Sequence, residues 1–165
     1  AASDVYKRQK LQFEAGWKER KEAEGNRLCE QFLEENKERG WVIDGNYEKF
    51  CQKRRMKEAD LIIFMDYPRW ICLWQALRRY YRYKGHTRKS MADGCIEKMD
   101  KEFILWILKN GRSREKKEDY KRVGAQYPDK FIQLRNRRQL RATVIRLLQL
   151  QNEKGLYAGT GSRKR

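Results

Sequence analysis

The stretch R-G-W-V-I-D-G-N-Y-E-K-F, Arg39–Phe50, decides how the rest of the chain reads. Trp41, Val42 and Ile43 form a short apolar run without polar alternation, the pattern of a strand covered on both faces. The run stops at Asp44-Gly45-Asn46, three turn-forming residues. A carboxylate at the carboxyl end of a buried strand has two readings. It closes an Asx turn or caps the next helix, or it faces a ligand beyond the strand end.

Outward from this run the chain alternates helix and strand. Residues 10–17 read as a loop containing Gly16, and 18–37 as a charged helix with Leu28, Phe32 and Leu33 on one side and Gly40 as its stop. After Ile43, residues 47–57 read as a short basic helix. Leu61–Met65 is a second strand, ending at Asp66-Tyr67-Pro68. Pro68 suits a helix start, Asp66 is expected to cap that helix, and the helix covers 69–82 with Leu73, Trp74 and Leu77 inward. Helices follow over 100–109, with Phe103, Trp106 and Ile107 inward, and over 112–127. Phe131–Leu134 is a third strand, and 137–150 an amphipathic helix with Leu140, Val144, Leu147 and Leu148 on one face. Trp70, Trp74 and Trp106 are expected in the core, and residues 151–165 form a flexible basic tail. Strands alternating with helices imply an α/β domain, a parallel sheet with helices on both faces.

The 165 residues suffice for one core and are 39% hydrophobic and 38% charged. No apolar run approaches the roughly 18 residues of a membrane-spanning helix. The four cysteines, Cys29, Cys51, Cys72 and Cys95, form no C-x-x-C pair, and fit reduced thiols of a cytoplasmic protein. His86 is the one histidine. A net charge of +17 points either to a polyanionic partner, nucleic acid or nucleotide phosphate, or to a solvated basic surface. Ala1–Gln9, "AASDVYKRQ", fits none of the periodic pattern. It resembles the translation of a sequencing-library transposon adapter and is set apart from the fold as a leader. On that reading, the natural frame extends upstream of a domain at 10–150.

Four blocks in order, "GWVIDGNY", "ADLIIFMDYPRWICLW", "RRYYRYKGHTRKSMADGC" and "EFILWILKNGRSR", resemble the DNA topology modulation protein family, small P-loop proteins similar to adenylate kinase. "LQFEAGWKER" resembles the segment after that family's second strand. The resemblance covers residues 11–148. It implies a three-layer P-loop NTPase fold with a helical lid at about 79–99. It also implies an ATP- and Mg²⁺-dependent phosphotransferase or NTPase, with a nucleotide or other small phosphorylated acceptor. The family's first strands and its Walker A loop, G-x-x-x-x-G-K-[ST], are missing from the sequence. The 165 residues are therefore expected to be inactive alone.

Under the resemblance Asp44 becomes the Mg²⁺ acid, binding directly or through water. Gly45, Asn46 and Tyr47 become the acceptor pocket. Glu48 stands where the adenylate-kinase motif carries an arginine; Arg54 or Arg55 could replace it, or form a solvated helix face. The segment 78–89 holds Arg78, Arg79, Arg82, Lys84, Arg88 and Lys89. As hinge and lid, it makes Arg79, Arg82 and Arg88 the residues that neutralise a transferring phosphoryl group. Arg112 and Arg114, after the lid, come next, and Gln75 occupies a position where such kinases carry a nucleotide-contacting arginine. The alternative is a nucleic-acid-binding protein that modulates DNA topology. Its strand-stacking rings would be Tyr80, Tyr81, Tyr83 and His86 among the arginines.

Overall fold

The computed structural model describes residues 4–7, 13–45, 49–87 and 94–160. Its strands pair as two parallel two-stranded sheets. β1 (Asp4–Lys7) lies beside β2 (Trp41–Asp44), with Asp4 opposite Trp41 and Lys7 opposite Asp44. β3 (Ile62–Met65) lies beside β4 (Phe131–Leu134), with Ile62 opposite Phe131 and Met65 opposite Leu134. Parallel neighbours need crossovers. α1 (Glu22–Glu35) connects the first pair. α3 (Arg69–Tyr83), α4 (Lys101–Leu108) and α5 (Arg114–Gln126) connect the second. α2 (Gln52–Glu58) lies between β2 and β3, and α6 (Arg137–Thr160) follows β4. The fold is thus mixed helix and strand with parallel pairing.

Local chemistry sets the element ends. Glu22 and Glu24 occupy the first turn of α1, where the helix dipole favours acids. At its far end the Asn36 side chain donates to the Phe32 carbonyl at 3.0 Å, and Gly40 (φ 78°) donates its N–H to the Asn36 carbonyl at 2.9 Å. Asp100 caps α4 by accepting from the Phe103 N–H at 2.8 Å, and Ser113 caps α5 through the Lys116 N–H at 3.3 Å. Cys29, Leu33 and Phe50 form the core around α1, with Leu28, Trp41, Ile43 and Cys51 packed on it. Gly25 is what lets Phe50 in: a Cβ there would stand 2.4 Å from the ring. Across the second sheet, the Phe64 ring lies 4.2 Å from Tyr120 of α5 and 6.2 Å from Phe131.

Several expectations are corrected. Asp4–Lys7, placed outside the fold by the sequence reading, forms β1. A strand edge offers unpaired N–H and C=O groups that any extended segment can satisfy. The β2 and β3 strands are not covered on both faces: Val42, Ile63 and Met65 are 49%, 42% and 53% exposed. Trp70, Trp74 and Trp106 are 67%, 55% and 41% exposed rather than core residues. Likewise Val144, Leu147 and Leu148 of α6 are exposed. The helix continues to Thr160, into the segment expected to be a tail. The basic helix near residue 50 begins only at Gln52, after Cys51 in a left-handed turn (φ 46°). Asp66 does not cap α3, whose N-cap is Pro68.

Candidate functional site

Ligands of open parallel sheets bind beyond the carboxyl ends of the strands, and two features stand there or nearby. The larger is a cavity of about 570 Å³ that runs along the β3–β4 flank to the ends of both strands. Met65, Asp66, Gln133 and Arg135 line it from the strand ends, Phe64, Trp106 and Tyr120 supply rings, and Arg112, Lys117 and Lys121 add cations. At its edge Asp66 is held on both oxygens. Oδ1 lies 3.3 Å from Arg112 Nη1, and Oδ2 accepts from Gln133 Nε2 at 2.9 Å. The Arg112 guanidinium also donates to the Tyr67 carbonyl and lies 3.3 Å from Cys72 Sγ. Arg112 therefore fastens the β3–α3 turn as well as lining the cavity.

The smaller feature is a groove of about 270 Å³ on α3, lined by Trp74, Gln75, Arg78, Arg79, Arg82, Tyr83 and Arg137. Arg78 lies over the Trp74 ring, 5.6 Å from its centroid. Arg79 is engaged. Its Nε donates to Glu97 Oε1 at 2.7 Å, and its guanidinium stands 5.8 Å from the Phe103 centroid. The Glu97 side chain is 2% exposed, so this ion pair fastens the segment around Glu97 to α3. Bridges Lys84–Glu97 and Thr87–Ile96 extend that attachment.

The expected site residues thus divide. Arg79 and Arg82 come together in the α3 groove, joined by Gln75 and by Arg137 from α6. Arg112 lies apart, in the larger cavity. Arg114 joins neither: its side chain is 93% exposed and contacts Glu118 at 2.9 Å in its own helix. Asp44 stands exposed at the end of β2, followed by Gly45 at φ 135°, a conformation that suits glycine. Arg88, Asn46 and Tyr47 lie outside the described residues. Neither Arg54 nor Arg55 is free to replace the arginine missing at Glu48. Arg54 pairs with Glu34 and with Glu58, and these bonds hold its pKa above the usual guanidinium range. Arg55 is buried, with Nε donating to the Phe50 carbonyl at 2.8 Å. The cluster Lys117, Tyr120 and Lys121 was not singled out from the sequence. Its i, i+3, i+4 spacing on one helix face was the available signal.

The donor set bears on metal and nucleotide. No group of three or more His, Cys, Asp or Glu side chains among the described residues could hold a metal ion. A caged metal is thus unsupported there, while a lone exposed acid such as Asp44 suits Mg²⁺ carried mainly by water and substrate phosphate. Rings beside cations in a cavity within the usual ligand range suit a base with phosphates attached. No helix among the described residues is long and apolar enough to cross a membrane. Compared with known proteins, the chain matches no family model, no curated protein and no solved structure.

Proposed function

We propose that this chain contributes the nucleotide-facing half and the lid arginines of an ATP- and Mg²⁺-dependent P-loop phosphotransferase or NTPase similar to adenylate kinase. The observation that carries the proposal is the β3–β4 cavity, which aromatic rings line together with the cations Arg112, Lys117, Lys121 and Arg135, beside parallel strands and reaching their carboxyl ends. In this reading the cavity takes the nucleotide, Asp44 takes Mg²⁺, and Arg79 and Arg82 neutralise charge on the transferring group. Arg79 must first leave Glu97, so lid movement and arginine release are one event. The acceptor is a nucleotide or another small phosphorylated molecule. No G-x-x-x-x-G-K-[ST] run occurs in the 165 residues, so they bind nucleotide without turning ATP over.

The test is titration of the purified chain with ADP and ATP, followed by tryptophan fluorescence, since Trp106 lines the cavity. Binding is expected, weakened at least about tenfold by Lys117→Glu with Lys121→Glu, each reversal placing an acid against phosphate. No fluorescence change up to millimolar nucleotide, or steady ATP hydrolysis by these residues alone, would overturn the proposal.

One observation favours a second reading, nucleic-acid binding. Tyr81 is 75% exposed and Trp74 is 55% exposed, beside Arg78 and Arg82 on α3. Rings among arginines stack bases and track phosphates. A log–log salt slope for single-stranded DNA steeper than about −3, abolished by Tyr81→Ala with Arg82→Ala, would favour it over the kinase-like reading.

A further inference from the structure

Cys29 and Cys51 are far apart in sequence and adjacent in the fold. Cys29 is fully buried on α1. Cys51 is half-buried and sits in the left-handed turn before α2. Four contacts hold Cys51 over one turn of α1. Its N–H donates to Asn26 Oδ1 at 2.9 Å, and its sulfur lies 3.4 Å from Asn26 Oδ1, 3.6 Å from the Asn26 carbonyl and 3.7 Å from Glu30 Oε1. Cys29 lies within that same turn, between Asn26 and Glu30, its sulfur 4.0 Å from the carbonyl of Phe50, the residue before Cys51. Cys51 packs against the same small core that contains Cys29.

We propose that Cys29 and Cys51 are an oxidisable thiol pair whose disulfide ties the β2–α2 connection to α1. Low-molecular-weight disulfides are the oxidant class. Cys51, the accessible sulfur, attacks as thiolate, forms a mixed disulfide and releases one thiol. Cys29 then attacks Cys51 Sγ, forming the internal S–S bond and expelling the second thiol. The two protons lost by the cysteines end on the two released thiols, and the small disulfide is reduced by two electrons.

The surroundings set the rate. Burial first, then the neighbouring Cys29 and Glu30, pushes the Cys51 thiol up to about 11. Burial also raises Cys29, opposed by the Arg55 cation and by the neighbouring Cys51 thiol, with Glu30 raising it and Arg54 lowering it slightly. The pair is therefore slow to oxidise near neutral pH, and faster by about tenfold per pH unit as the thiolate fraction grows. The bridge encloses β2, with Asp44 and Gly45, so oxidation restrains the segment proposed to meet Mg²⁺ and acceptor. The pairing itself does not depend on that functional reading.

The experiment is incubation of the full native chain with oxidised glutathione, then alkylation and peptide mapping. The expected result is a Cys29–Cys51 cross-link, with Cys72 and Cys95 still alkylated and a rate rising with pH. In Cys51→Ser and Cys51→Ala the cross-link disappears and Cys29, being buried, carries no glutathione. Denatured chain oxidised in parallel should give mixed pairings instead. Four alkylated thiols in the native protein, a glutathione adduct that persists at Cys51, or the mixed pairings of the denatured chain would each overturn the proposal.

Discussion

Replacing Arg112 by alanine separates an arginine that holds the fold from one that only handles phosphate. Its guanidinium reaches the Tyr67 carbonyl, Asp66 and Cys72, and its side chain is 21% exposed. Tyr67 is 7% exposed, so water does not readily replace the lost donor at its carbonyl. An unmade bond to such a group costs about 1–3 kcal/mol. The partly exposed pair with Asp66 adds at most about 1 kcal/mol. Arg112→Ala should therefore destabilise by about 1–4 kcal/mol. With a urea m-value of about 2 kcal/mol/M, the midpoint falls by about 0.5–2 M, read by far-UV circular dichroism. Arg114→Ala is the comparator, and its exposed pair with Glu118 predicts a loss under about 0.5 kcal/mol. A double-mutant cycle with Asp66→Ala should return a coupling below about 1 kcal/mol, because most of the loss runs through the carbonyl. An Arg112→Ala midpoint within about 0.3 M of the parent, or a coupling equal to the whole loss, would refute the assignment.

Three further outcomes follow from particular contacts. The buried Tyr67 hydroxyl has no hydrogen-bond partner among the described residues, so Tyr67→Phe should be neutral or stabilising by up to about 1 kcal/mol; a clear loss in urea melts would show a bond there. Asp100→Ala removes the α4 cap and should cost about 1 kcal/mol at neutral pH. The Phe103 N–H first, then Lys98, holds the Asp100 carboxyl below its usual value. A depressed folded pKa means this contribution is present above the unfolded value and fades as pH falls through the folded one, so the variant and parent should converge once the pH drops below the Asp100 pKa of the folded chain. Gly25→Ala drives a methyl into the Phe50 ring and should cost about 1–3 kcal/mol, whereas Gly85→Ala, which meets nothing within 4 Å, should lack that steric cost and show only the strain of its positive φ.

Elements were legible where local chemistry determines them. Phe131–Leu134 is a strand over the residues expected, and Leu61–Met65 differs by one. Asp100 and Ser113 start their helices through capping bonds to near neighbours, whereas α1 ends at Glu35, before the expected stop at Gly40. Tertiary placement was less legible. Arg55 reads as solvated because charge predicts exposure, yet its partner is the Phe50 carbonyl, fixed by how Phe50 enters beside Gly25. Asp66 reads as a cap because Pro68 opens a helix two residues on, yet its partners Arg112 and Gln133 come from distant elements. The Lys117–Tyr120–Lys121 face is hidden in a helix whose composition reads simply as charged.

The tryptophan assignments failed for a different reason, and β3 shows it. Ile62 and Phe64 are partly covered while Ile63 and Met65 are exposed. That is the alternation of a sheet covered on one face, written in residue types that suit a sheet covered on two. Periodicity reports that an element owns an apolar face; it does not report that a second layer covers it. Two substitutions in adjacent residues test the difference. Phe64→Ala removes a ring packed on Tyr120 and Phe131 and should cost about 2–4 kcal/mol. Met65→Gln, on the open face, should cost under about 0.5 kcal/mol and should lower binding of a hydrophobic dye. A loss above about 2 kcal/mol for Met65→Gln would mean that face is packed in solution, and the one-sided reading of the sheet would fail with it.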